Sequence, residues 1–244
     1  MSSISPIPVV KPKAVFQVAE DLFPDKNIDI VSTLPPTGIG SLLTLEVAVI
    51  VAVLKVTDPR KIFEFGTFNG SSAVLFARNT AKDSCVTTLD LPSDVITTAA
   101  SAKLDIFNAN ENDEYLRREF KRRGAFYIDR ADSSIRSKIV RLFENSLSFD
   151  PDKECLLNSQ DLVFIDGGHD YKTVKNDTEK AIAMCRHDHV LIWHDFGSSI
   201  HTEVEKYLLD VEEEYLPVSV AHTMLAFSFC GRFAELREQI LAVH

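Results

Sequence analysis

Several features that mark other classes of protein are scarce in this chain of 244 residues. It has only four cysteines, which lie far apart and form no CxxC pair, so a disulfide scaffold is not expected. Reduced thiols suit a cytoplasmic location, which we therefore predict. The most apolar stretch, residues 42–56, contains Glu46 and is too short to cross a bilayer, so it predicts a buried helix instead.

Basic charge is also scarce. The 26 lysines and arginines are outnumbered by 36 acidic residues, and the resulting net charge of −10 argues against binding to a nucleic acid or to an anionic membrane surface. The first twelve residues lack a basic start followed by an apolar segment, so we expect no secretory signal. The remaining composition, 45% hydrophobic and 25% charged, is that of a soluble globular protein.

The distribution of proline divides the chain. Six of the ten prolines fall within the first 36 residues, which predicts an N-terminal arm over residues 1–40 with one short helix near residues 14–22. Residues 41–244 are then expected to form the main domain. An apolar helix over residues 42–56, capped by Ser41 and adjoining this arm, is compatible with a homodimer.

From residue 41 onward, predicted helices alternate with short apolar strands, a pattern typical of a parallel sheet covered by helices on both faces. The predicted strands are residues 61–65, 85–89, 125–128, 161–165 and 189–193, followed by two closing strands within residues 217–221 and 223–230. The predicted helices after the first are residues 71–80, 92–124, 134–145, 171–185 and 203–214.

The first strand-to-helix turn carries the strongest chemical signal. Gly66 and Gly70 let a ligand approach the backbone closely, and the following helix presents free amide donors. The turn has no lysine as in a phosphate loop, and its Gly-x-x-x-Gly spacing differs from the dinucleotide fingerprint. Asp90, at the end of the next strand, has a carboxylate that can accept hydrogen bonds from both hydroxyls of a ribose. Together these residues indicate an adenosyl ligand without phosphates; the alternative is a plain tight turn, with Asp90 as a helix cap.

Three segments carry a resemblance to a known family. FEFGTFNGSSAVLFAR (63–78), VFIDGGHDYKTVKND (163–177) and VLIWHDF (190–196) resemble motifs of the class I S-adenosylmethionine-dependent methyltransferases. The closest likeness is to small-molecule O-methyltransferases, of the catechol type and of a bacterial branch acting on sugars and macrolides. The resemblance spans residues 41–195. It implies an α/β fold with a doubly wound, Rossmann-like, seven-stranded and mostly parallel sheet.

The resemblance also implies a cofactor site for S-adenosyl-L-methionine. Ser72 would face the carboxylate of the methionine end, Asp90 would hold the ribose, and Asp132 with Ser133 would contact the adenine edge. Asp132 is explained comparably well as the cap of the helix that follows. The implied cofactor-binding residues are Glu64, Gly66, Phe68, Gly70, Ser72, Asp90, Asp132 and Ser133.

The catalytic residues implied are His169 and Asp166, with Asp166, His194 and Asp195 as ligands of a divalent metal, Mg²⁺ or Mn²⁺. Asp166 matches the first metal ligand of the catechol-type enzymes, and His169 stands where they have a basic lysine. His194 departs from their pattern. An imidazole ligand weakens the case for magnesium and leaves room for a softer metal ion or for no metal at all. His169 is therefore a base, a ligand or, in the structural alternative, a turn residue.

We accordingly predict an enzyme that transfers a methyl group from S-adenosylmethionine to a hydroxyl of a small molecule. Three alternatives stay open. One is a metal-independent N-methyltransferase of the same fold. Another is an NAD-dependent oxidoreductase, against which the glycine spacing argues. The third is a non-catalytic adenosyl-binding protein, which would need Asp90 but be indifferent to loss of His169.

Overall fold

The computed structural model describes residues 7–34, 40–92, 118 and 125–243. Its strands join into one sheet of eight. They are β1 (Val9–Val10), β2 (Lys61–Phe65), β3 (Cys85–Asp90), β4 (Ile139–Phe143), β5 (Gln160–Ile165), β6 (Cys185–Trp193), β7 (Val218–Val220) and β8 (Ala226–Phe229). The order across the sheet is β1-β7-β8-β6-β5-β2-β3-β4, and only β8 runs antiparallel to its neighbours.

Helices cover both faces of this sheet. They are α1 (Pro12–Leu22), α2 (Thr44–Thr57), α3 (Ser71–Asn79), α4 (Phe126–Arg130), α5 (Ser133–Arg136), α6 (Tyr171–Met184), α7 (Thr202–Asp210), α8 (Glu212–Tyr215) and α9 (Ala234–Ala242). One apolar cluster packs α1, α2, α3 and α9 on one face, and a second packs α6 and α7 on the other. The predicted α/β fold with a doubly wound, mostly parallel sheet is thus confirmed.

The sheet has one strand more than the seven expected. Val9 and Val10 pair with Ser219 and Val220 of β7, so part of the proline-rich segment extends the sheet edge. Helix α1 follows at once and packs its apolar side, including Val15 and Val18, into the core. A strand of two residues between prolines leaves no periodic pattern, which is why the sequence did not predict it.

Two predicted elements are wrong. Residues 125–128 are not a strand, because Ile128 belongs to α4 and packs against the glycine turn. Residues 134–145 are not one helix, since α5 ends early and β4 pairs with β3 along its whole length. Apolar Val140 and Phe143 point to solvent from this edge strand. They are three residues apart, a spacing that is also typical of one face of a helix. The predicted helix at 92–124 lies outside the described residues apart from positions 92 and 118.

The start of α2 also differs from the prediction. Ser41 does not cap the helix; Leu43 is the N-cap residue, and its backbone N–H donates to Glu46 Oε2 at 2.7 Å. Nine of the fourteen side chains along α2 are buried, because the helix lies between α1, α3 and the sheet. Among the described residues, no helix has the length and apolar character needed to span a membrane.

The sheet topology locates a crevice. The chain leaves β2 toward β3 and β4 on one side, and it returns to β5 and β6 on the other. Ligands in open parallel sheets bind at such a switch point, outside the carboxyl ends of the strands. Residues 66–70 follow β2 there, and Asp166 follows β5, so both predicted site segments border the same crevice.

Close packing of these two strand ends requires glycine at position 66. Gly66 has φ +93°, and a Cβ atom built there would lie 2.0 Å from the carbonyl oxygen of Asp166. Gly70, with φ +78°, is similarly crowded by the side chain of Ile128. These glycines therefore serve the packing of the crevice walls, whatever they contribute to a ligand.

We expect Gly66→Ala to lower the free energy of unfolding by about 2–5 kcal/mol, because it combines backbone strain with overlap of main-chain atoms. The matched control is Gly197→Ala. Gly197 also has positive φ, but no described atom lies within 4 Å of its Cβ position, so strain alone predicts a loss of about 1–2 kcal/mol. Urea unfolding followed by circular dichroism measures both; equal losses would refute the packing argument.

Candidate active site

Asp90 is fixed at the crevice by the backbone around it. Its Oδ2 accepts from the backbone N–H of Phe68 at 2.8 Å, and its Oδ1 accepts from that of Leu91 at 2.7 Å. The first contact ties the end of β3 to the glycine turn after β2. The carboxylate is thus held beside the turn, where the sequence predicted a ribose contact.

Glu64 lies on β2 behind the turn and is completely buried. Its Oε2 accepts from the Thr88 hydroxyl at 2.5 Å, and that hydroxyl in turn accepts from Thr67 at 2.7 Å. Oε1 has no hydrogen-bond partner among the described residues. Burial raises the pKa of Glu64 to about 8, the charges of Asp166 and Asp90 add to the shift, and the hydroxyls of Ser72 and Thr88 oppose it.

Asp132 and Ser133 are exposed at the start of α5. Asp132 occupies the N-cap position, but its side chain makes no capping hydrogen bond in the part of the chain that the structure describes. The preceding helix α4 packs against the glycine turn through Ile128, and the backbone N–H of Tyr127 donates to the Asn69 carbonyl at 3.0 Å. The segment therefore borders the turn, and contact with adenine stays a prediction.

His194 lies at the centre of the predicted catalytic group, buried at the end of β6. Its Nδ1 is 3.1 Å from Asp166 Oδ1 and 3.2 Å from Asp195 Oδ2. Its Nε2 is 3.4 Å from Glu46 Oε2. The three carboxylates come from β5, β6 and α2, so the imidazole joins elements that are distant in the sequence.

The charges in this group stabilise one another. Burial alone lowers the pKa of His194, but Asp166, Asp195 and Glu46 together raise it well above its usual value. Burial likewise raises the pKa of Asp195, and the hydrogen bonds from His169 and His194 outweigh this and hold it well below its usual range. In the absence of another cation, an imidazolium at His194 thus balances part of the negative charge.

His169 stands on the loop after β5 and reaches Asp195 from the other side. Its Nε2 is 3.0 Å from Asp195 Oδ2, and its side chain is only 10% exposed. Its ring stacks on that of His201, with centroids 3.8 Å apart. The structure therefore brings together all four predicted residues, Asp166, His169, His194 and Asp195.

Two residues of this cluster were missed. Glu46 could have been suspected, because it is the only charged residue within residues 42–54 and a buried carboxylate needs partners. His201 gave no comparable signal. It is buried at the N-cap of α7, six residues after Asp195, and only the turn of the intervening loop brings it onto His169.

The ligand atoms of Asp166, His194 and Asp195 fit a divalent cation. They lie within 4.8 Å of one another, and two of the separations are 3.1 and 3.2 Å. An octahedral ion about 2.1 Å from each ligand places neighbouring ligand atoms about 3 Å apart. Glu46 Oε2 lies 3.4 Å from the far nitrogen of His194, the position at which a metal-bound histidine usually has a carboxylate partner. A second group, His169, Asp195 and His201, shares Asp195 with the first.

Comparison with known proteins identifies the domain around this crevice. A family model described as a methyltransferase domain matches residues 63–196, more than half of the chain. No curated protein gives a significant match.

Solved structures support the same fold. One is a Staphylococcus aureus protein assigned as a caffeoyl-CoA O-methyltransferase, with 17% identity, a TM-score of 0.51, and coverage of 90% of this chain and 92% of that one. Another is the SAH-bound methyltransferase PaMTH1 from Podospora anserina, with 14% identity, a TM-score of 0.51, and coverage of 92% and 91% respectively.

The protonation of Glu64 makes the free energy of unfolding depend on pH. Its pKa is about 8 in the folded chain, against an ordinary value of 4.5, so the folded state binds more protons than the unfolded state between these values. Stability from this group therefore falls as the pH rises. Between pH 5.5 and 8 we expect the wild type to lose about 1–3 kcal/mol relative to Glu64→Gln, measured by urea unfolding.

The control for this experiment is Glu179→Gln, which removes an exposed carboxylate on α6. It should keep the wild-type pH profile. If Glu64→Gln kept that profile too, Glu64 would be ionised throughout the range.

Proposed function

Since this chain belongs to the methyltransferase-domain family, we propose that it methylates a hydroxyl group of a small molecule and takes the methyl group from S-adenosylmethionine. One observation carries the choice of a hydroxyl acceptor. His169 and Asp195 form a hydrogen-bonded pair at the carboxyl ends of β5 and β6, beside the glycine turn, where a proton acceptor is useful.

The crevice suits a cationic adenosyl cofactor. Glu64, Asp90 and Asp166 lie close enough for the charges of the two aspartates to raise the pKa of Glu64. A sulfonium and an amino group bring positive charge to such a site, and Glu64 Oε1 is a buried acceptor with no partner among the described residues. We assign Glu64, Gly66, Phe68, Gly70 and Ser72 to the methionine end. Asp90 would hold the ribose and Asp132 with Ser133 the adenine.

S-Adenosylmethionine supplies an electrophilic methyl group when it is bound. The chain then needs to orient the acceptor and remove its hydroxyl proton as the new bond between oxygen and carbon forms. We assign the proton to His169. Asp195 accepts a hydrogen bond from Nε2–H of that ring and thereby fixes its orientation, so that Nδ1 would take the proton. His201 stacks on the face of the ring. Asp195 stabilises the imidazolium that results.

A divalent ion is part of the proposal, with Asp166, His194 and Asp195 as its ligands. When bound, such an ion lowers the pKa of a coordinated hydroxyl. The imidazole among the ligands favours Mn²⁺ or a softer ion over Mg²⁺. Asp166 would then act through the ion rather than as a base.

We expect the purified protein to bind S-adenosylmethionine and S-adenosylhomocysteine but not NAD in calorimetric titrations. Asp90→Ala should weaken adenosyl binding by roughly 10–100-fold, because it removes a charged acceptor for ribose hydroxyls. Asp83→Ala, which removes an exposed carboxylate paired with Arg60, should leave it unchanged. Binding of NAD alone would favour the oxidoreductase alternative and overturn the proposal.

We also expect His169→Ala to lower kcat by about 10²–10⁴-fold while the affinity for S-adenosylmethionine stays near that of the wild type. Release of S-adenosylhomocysteine with a panel of phenolic, catecholic and sugar acceptors measures turnover. His187→Ala removes an exposed histidine at the opposite end of β6 and serves as the control. Full turnover in His169→Ala, or methylation only of amine acceptors, would contradict the assignment.

A further inference from the structure

Glu46 is a buried carboxylate outside the matched domain of residues 63–196. It stands in the first turn of α2 and has no exposed surface. Charged side chains are almost never fully buried without specific partners. Its contacts therefore indicate what the residue does.

Two backbone donors hold the carboxylate in place. Oε2 accepts from the N–H of Leu43 at 2.7 Å, and Oε1 accepts from the N–H of Met224, in the turn between β7 and β8, at 2.8 Å. The carbonyl of Met224 in turn accepts from the N–H of Phe196, next to Asp195. Glu46 is thus fixed relative to the loop that carries the catalytic group.

The third contact reaches the site itself. Glu46 Oε2 lies 3.4 Å from His194 Nε2. Both carboxylate oxygens already accept hydrogen bonds, and an ionised carboxylate is only an acceptor, so Nε2 must carry the hydrogen. Without a metal, Nδ1 also faces two carboxylate acceptors, Asp166 and Asp195, so both ring nitrogens carry hydrogen. A cation held by these two carboxylates would take the place of the Nδ1 hydrogen, and Glu46 would keep the remaining hydrogen on Nε2.

We propose that Glu46 is a positioning residue for the metal: it fixes the tautomer and orientation of His194, so that Nδ1 is presented as a ligand beside Asp166 and Asp195. This inference rests on the metal part of the proposed function. The inference gives α2 a role at the site. It also implies that residues before the matched domain are needed for an intact metal centre.

A purely structural role would have a different signature. Glu46 also ties α2 to the turn between β7 and β8, so its loss would lower stability in either case. A role confined to stability predicts unchanged metal affinity in a variant that is still folded, whereas a positioning role predicts weaker metal binding. In Glu46→Gln the amide nitrogen cannot accept, and where it faces His194 it favours hydrogen on Nδ1, which blocks the ligand atom.

The test is titration of the full chain with Mn²⁺, followed by calorimetry and by the electron paramagnetic resonance signal of free Mn²⁺. We expect Glu46→Gln to weaken Mn²⁺ binding by about 10–100-fold, the range found for lost carboxylate partners of metal-bound histidines. Its affinity for S-adenosylmethionine should stay within about twofold of the wild type. Circular dichroism establishes that the variant is folded.

Two further variants complete the design. Thr57→Val removes a different buried polar group from α2, the hydroxyl that donates to Val53, and should keep wild-type Mn²⁺ affinity. Glu46→Asp retains the charge but draws the carboxylate back by one methylene. It should weaken Mn²⁺ binding roughly tenfold, and it replaces Glu46→Gln as the test if that variant does not fold.

The outcomes separate this inference from the proposed function. Wild-type Mn²⁺ affinity in the folded Glu46 variants would overturn the role of Glu46 and leave the methyltransferase proposal intact. Absence of Mn²⁺ binding by the wild type would overturn both this role and metal assistance, whereas binding of S-adenosylmethionine would still support the methyltransferase proposal.

Discussion

The arrangement of the site depends on a balance of charge around one buried imidazole. Glu46, Asp166 and Asp195 come from α2, β5 and β6, and each carboxylate lies within 3.4 Å of His194. Three carboxylates so close together repel one another unless positive charge lies between them. An imidazolium or a divalent ion supplies that charge, so the packing of three separate elements depends on a cation at one position.

The same constraint explains why the segment before the matched domain belongs to the site. β1 pairs with β7, and α1 packs against α2, which carries Glu46. Glu46 then binds the turn between β7 and β8 through Met224. The N-terminal residues thus brace the strands that close the sheet, and through them the loop after β6. These residues contribute to the site indirectly, through an unbroken series of contacts.

The sequence predicts those elements whose pattern is contained in a short stretch of residues, and it misses those that depend on distant partners. β2 was predicted with the observed bounds, because a strand buried on both faces and followed by a glycine turn is distinctive. β4 was missed, since its pairing with β3 is not encoded locally and its exposed apolar side chains imitate a helix. The cluster at Asp166 was predicted from strand ends. Glu46 was not, because its partners lie 148 and 178 residues away.

Asp195 joins the two halves of the proposed chemistry. Its Oδ2 lies 3.0 Å from His169 Nε2 and 3.2 Å from His194 Nδ1, so one oxygen contacts both the proposed proton acceptor and the proposed metal-holding group. The residue also has φ +62°, in the left-handed region that residues with side chains rarely adopt, although aspartate does so more often than most. Such strain persists only where surrounding contacts impose it. Because the carboxylate is shared, a change in the cation at His194 must alter how strongly Asp195 holds His169. In the proposed mechanism, proton removal by His169 would therefore be coupled to occupancy of the neighbouring site.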